Sequence, residues 1–179
     1  MARLLPSALL TRAAVVLGGL GYQIERETDP DAGPILIATD PDEGDIIVSV
    51  TDLGIVLSGT IGLRPALPQS TLDALVNTCS GVAQAARFSA VAPAAGESES
   101  VLFADALYAG AFEGKSFTRF VEGFNDDVYG AFEIADDARL LLHPSNYGAK
   151  EGDAPAPAPT PKTGTGRLAR GTGRLARGA

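Results

Sequence analysis

A single cysteine, Cys79, in 179 residues rules out a disulfide within the chain. A lone thiol fits a reducing compartment, so a cytoplasmic location is expected. A single histidine, His143, and no C-x-x-C or H-x-x-x-H spacing leave no zinc ligand set. No apolar run reaches the ~18 residues that a membrane-spanning helix needs. Basic residues are scarce in most of the chain. Residues 1–150 hold 9 Lys+Arg against 20 Asp+Glu, while residues 151–179 hold 5 against 2. A body of net charge −11 is repelled by phosphate backbones and anionic lipid, so neither nucleic acid nor membrane is expected as a partner of the folded part.

The sequence does carry clear periodicity. Near the N-terminus, Leu9, Ala13, Val16, Leu17 and Leu20 recur at helical spacing, with Pro6 suited to the first turn and Gly21 to the end. A cleaved leader is the alternative for this stretch, but Arg12 interrupts its apolar part and no A-x-A-like cleavage site follows. GYQIERE then alternates, with Tyr22 and Ile24 on one face and Gln23, Glu25 and Glu27 on the other. PILIAT (34–39), DIIVSV (45–50) and GIVLSGTIGL (54–63) read as three further strands. Their short connections suit antiparallel neighbours in a meander.

Two copies of T-D-P-D-x-G, at residues 28–33 and 39–44, bring six acidic side chains between Asp29 and Asp45 and raise the question of calcium. Counted from Asp40, an EF-hand register puts Gly44 at position 5, Asp45 at position 6 and Thr51 at position 12, so the pattern fails. Proline at the second place and glycine at the last instead describe a turn, with the Asp side chains accepting local backbone N–H groups. Successive meander turns also lie at opposite edges of a sheet, too far apart for one ion.

LPQSTLDALVNTCSG (67–81) predicts a second helix, with Ser70 as cap, Leu72, Leu75, Val76 and Cys79 as its apolar stripe, and Gly81 as terminator. ARFSAVAP (86–93) and SVLFADALYAG (100–110) predict a hairpin around an acidic loop. The strongest pattern follows. Phe117, Phe120, Val121, Phe124, Val128 and Phe132 line one face of a long helix capped by Ser116, and ADDARLLL to Leu142 extends it by a turn or two. From Ser145 the chain becomes Pro/Ala-rich and ends in a duplicated TGRLARG, a composition that predicts a disordered tail. The expected organisation is one α+β domain over 1–144, with order α-β-β-β-β-α-β-β-α and helices packed on an antiparallel sheet, followed by the tail over 145–179.

Chemistry is hard to find. Cys79 and His143 could form a couple only if the fold brought them together; helix-stripe and surface positions are the plainer reading. Asp126–Asp127 and Asp136–Asp137 are adjacent on a helix, where side chains diverge by about 100°, so they read as solvated rather than as acid–base pairs. AGAFEGKS (109–116) is one residue short of a phosphate loop, because Gly110 and Gly114 are too close. No catalytic, cofactor or metal residue is assigned. A small nucleotide- or calcium-binding domain, using the 110–116 loop or the acidic turns of 28–45, is the alternative.

What remains is surface. The strand from residue 100 carries Val101, Phe103 and Leu107 on one face and Leu102, Ala104, Ala106 and Tyr108 on the other. A strand apolar on both sides needs cover on both: the long helix on one, and on the other an internal helix, a second subunit or a bound segment. Phe88, Val101, Phe103 and Leu107 are the candidate partner or dimer surface.

LGGLGYQIERE, the meander to GIVLSGTIG, and SVLFADALYAGAFEGKSFTRFVEGFNDDVYGAF resemble the type III secretion chaperone-like fold, particularly its bacterial YbjN branch. There a strand leads through a short loop into a helix of F-x-x-F/V-x-x-F rhythm, matched here from Phe117 to Val128, and the likeness spans residues 1 to about 142. The resemblance implies a non-enzymatic homodimer that binds polypeptide, without cofactor. Classical members hold an extended segment of a secreted protein; the YbjN branch is linked to regulation and stress. The Pro/Ala linker and Arg repeat depart from the usual pattern.

Overall fold

A computed structural model describes residues 6–40, 44–93 and 99–143. Their elements run α1 (Pro6–Gly19), β1 (Gln23–Asp29), β2 (Gly33–Asp40), β3 (Gly44–Val50), β4 (Gly54–Leu63), α2 (Gln69–Val82), β5 (Arg87–Val91), β6 (Ser100–Ala109) and α3 (Gly114–Asp137). This is the α+β order that the periodicity predicts. The expected tail over 145–179 and the acidic loop at 94–98 lie outside the described residues, as do the middle residues of the second acidic turn.

The strands form one six-stranded sheet in the order β1-β2-β3-β4-β6-β5, antiparallel throughout. Residues directly opposite in an antiparallel register share a face. Leu36, Val48, Leu57 and Ala106 lie in one such row across four strands, and all are buried. That face is the core. α1 packs on β1–β3, α3 on β4 and β6, and α2 on β5 and α3. Phe117, Val121 and Phe124 of α3 are buried, as are Leu10, Ala13 and Leu17 of α1 and Leu72, Leu75 and Cys79 of α2. Each large apolar side chain so buried contributes roughly 1.5–3 kcal/mol.

The first T-D-P-D-x-G element is a turn, built as the sequence suggests. The Asp29 carboxylate accepts the N–H groups of Asp31 (2.8 Å) and Ala32 (2.7 Å), and Gly33 takes φ +78°. Its hairpin closes at Asp29–Gly33 and the next at Asp40–Gly44, the two opposite ends of β2. Gly21, after α1, has φ +108°.

Helix ends differ from expectation in four places. Pro68, not Ser70, caps α2, and its carbonyl accepts the N–H groups of Thr71 and Leu72. Proline's fixed φ already sets the extended entry, so Ser70 falls inside the first turn. Gly81 does not end α2, which continues to Val82 and leaves through an extended Ala83. At α3 the cap is Glu113, three residues before Ser116; its carboxylate accepts both the Ser116 N–H (2.9 Å) and the Ser116 hydroxyl.

The fourth difference is at the far end of α3. The helix stops at Asp137 instead of running to Leu142, because Arg139 turns into the left-handed region (φ +57°). The N–H of Arg139 then bonds Asp136 O and that of Leu140 bonds Ala135 O, the paired bonds of a Schellman stop. Leu140–Leu142 instead run beside β4: Arg64 N–H donates to Leu140 O, Leu142 N–H donates to Gly62 O, and Leu63 bridges Leu141. β3 reaches β4 only between Ile55 and Ser58, so the returning segment takes edge that β3 leaves open.

Candidate interaction surface

All three helices lie on one face of the sheet, which leaves the other without helical cover among the described residues. Strand alternation places Val101, Phe103 and Leu107 of β6 on this outer face. In register beside them stand Val56, opposite Leu107, and Val91, opposite Val101. β2 and β3 add Ile35, Ile37 and Ile47, with Ile37 opposite Ile47. None of these eight belongs to the helix-side core cluster. Ile47, Leu107 and Val91 are 41%, 42% and 56% exposed, so the surface is accessible at these three, whereas Ile35 is buried.

The expected partner residues therefore divide. Val101, Phe103 and Leu107 come together on the open face, but Phe88 does not join them. It pairs with Ala104, and both are buried on the helix side. Ile35, Ile37, Ile47, Val56 and Val91 are not among the residues expected from the sequence, although β2 and β3 show the same signal as β6, apolar residues on both alternating faces.

Charge on this face is uneven. β1 directs Gln23, Glu25, Glu27 and Asp29 outward, and Asp45 of β3 joins them by alternation. On the β4–β6–β5 side, Ser58 donates to Asp105 at 2.6 Å, and Arg87 stands opposite Asp105. The open face thus has an acidic half and a nearly balanced apolar half.

Residues considered for chemistry are otherwise employed. Cys79 is fully buried, and desolvation pushes its thiol pKa up, the reverse of what an activated nucleophile needs; His143 is exposed. The 110–116 loop follows a strand that is antiparallel to both neighbours. The Glu113 carboxylate already occupies the first-turn N–H that a phosphate would seek, and holds negative charge there. Hydrogen bonds from Ser116, side chain first and then backbone, lower the Glu113 pKa.

The carboxylate pairs are not uniformly solvated, as the sequence suggested. Asp126 and Asp137 are exposed, yet Asp136 is buried. Asp127 accepts backbone N–H groups from Gln84 (3.0 Å), Ala85 (2.7 Å) and Ala86 (2.8 Å), which ties α3 to the α2–β5 connection. Among the described residues no three potential ligand side chains gather for a metal, and no helix is long and apolar enough to cross a membrane.

No protein-family model and no curated protein matches the chain. Among solved structures it is similar to the crystal structure of YbjN from E. coli, described as a candidate transcription regulator. The TM-score is 0.58 at 16% sequence identity, covering 76% of this chain and 96% of that one. At that identity the likeness is one of architecture, and the architecture is a YbjN-like fold.

Proposed function

We propose that this protein is a non-enzymatic binding module for other polypeptides, chaperone-like or regulatory, acting in the cytoplasm through its open sheet face. One observation carries the reading: an apolar surface on β2, β3, β4, β6 and β5 that is separate from the core and partly exposed. A sheet face of this kind is usually covered by something. The structural likeness to a candidate regulator is in keeping with it, and the acidity of the body favours regulation through protein contacts over direct contact with nucleic acid.

The β4–β6–β5 half is the seat for a second copy. Val56, Val101, Phe103 and Leu107 supply apolar area, and Asp105 with Arg87 supplies opposite charges that two copies can exchange. Sedimentation velocity on the full chain tests this. The expected species is a dimer, and Leu107→Glu should raise its dissociation constant at least tenfold while leaving the far-UV circular dichroism unchanged. A wild-type chain that stays monomeric at ~100 µM, a range in which even weak dimers associate, would remove the second copy from this face.

A further inference from the structure

We infer that the acidic half of the open face docks an extended, basic segment of a partner protein, laid as an added strand along β1. The inference rests on the reading of this face as a polypeptide-binding surface and gives that surface a partner chemistry.

Among the described residues β1 is a terminal strand of the sheet, hydrogen-bonded to β2 alone. Such an edge presents a row of backbone donors and acceptors to any extended chain beside it. Over Gln23–Asp29 it has the length of an ordinary strand. An incoming strand would set its outward side chains beside Glu25 and Glu27, where cross-strand neighbours stand about 5 Å apart. Further in, Ile37 and Ile47 provide apolar floor under the alkyl stems of long side chains.

Charge decides which chain fits. Glu25, Glu27, Asp29 and Asp45 are all acidic, and Arg87, the one basic side chain directed outward from the described strands, lies at the opposite edge. A second copy pairing antiparallel along β1 would bring two rows of carboxylates together, and like charges directly opposite are destabilising. An acidic peptide meets the same penalty. A strand with Arg or Lys at alternate positions gains at each step.

The test titrates the full-length protein into a dye-labelled peptide of alternating Arg and Val, followed by fluorescence anisotropy. Binding is expected, and the matching Glu/Val peptide should not bind. Glu25→Lys with Glu27→Lys should weaken the Arg peptide at least tenfold and admit the Glu peptide; both positions are on the sheet surface, so circular dichroism should be unchanged. Leu107→Glu should leave peptide affinity as it was. Methylating alternate peptide nitrogens, which removes the ladder donors, should also cost at least tenfold.

Equal binding of the methylated peptide would overturn strand addition, and insensitivity to the charge reversals would overturn the site. A dimer that dissociates on those reversals would give the edge to a second copy. If the wild-type chain dimerises through Leu107 yet ignores the Arg peptide, only this inference fails. If it does neither, the broader reading of the face fails with it.

Discussion

Asp127 shows how much one side chain can organise. Its carboxylate satisfies three successive backbone N–H groups at the point where α2 gives way to β5. Asp127→Ala would strip the acceptor from all three, two of them part-buried, at an expected cost of about 2–4 kcal/mol in urea unfolding, with Asp127→Asn costing less. Asn125, two residues earlier, donates to the Tyr22 hydroxyl at 2.6 Å, so the same turn of α3 also grips the residue just before β1. Glu113 makes the first turn of α3 sensitive to acid. Its folded pKa lies below the ordinary value because it accepts from Ser116, so its contribution is present above the unfolded pKa and is lost as pH falls through the lower, folded one. The expected result is acid fraying of the first turn of α3 below the usual glutamate range, seen in amide exchange at Ser116. Glu113→Gln should remove that pH dependence.

The elements themselves were mostly legible, because each carries a period and a hard stop. β4 reads from Gly54 to Leu63 in sequence and structure alike, and the phenylalanine stripe of α3 finds Phe117 and Phe124 in the core. Ends were less legible. Ser70 and Ser116 look like caps in isolation, but a proline and a glutamate that precede them fix the entry of the chain first. The stop after Asp137 has no glycine to announce it. Nor could the sequence show Phe88 on the helix side, since β5 reveals its facing only through its register with β6. Gly54 leaves no room for a side chain in the β4–β6 ladder. Its φ is +152°, and a Cβ there would run into the Tyr108 carbonyl across the β4–β6 ladder. Gly54→Ala should cost about 2–4 kcal/mol, measured from the urea midpoint. Gly59→Ala, whose added carbon would meet Phe124 at an ordinary 3.5 Å, should cost much less.

Taken together, the described residues form a sheet roofed on one side. Its helix side is closed by Phe117, Phe124 and Leu17, while its open side keeps Leu107, Val91 and Ile47 accessible. If two copies share that side, stability becomes concentration-dependent. The melting temperature should climb with protein concentration, and Leu107→Glu should flatten the dependence. The short return of Leu140–Leu142 along β4 has a consequence for biosynthesis. Strand β4 is made early, yet the hydrogen bonds at Gly62 and Arg64 are met by residues nearly eighty positions later. A nascent chain emerging from the ribosome therefore leaves the Gly62–Arg64 end of β4 without these two bonds until the residues just beyond α3 have been translated.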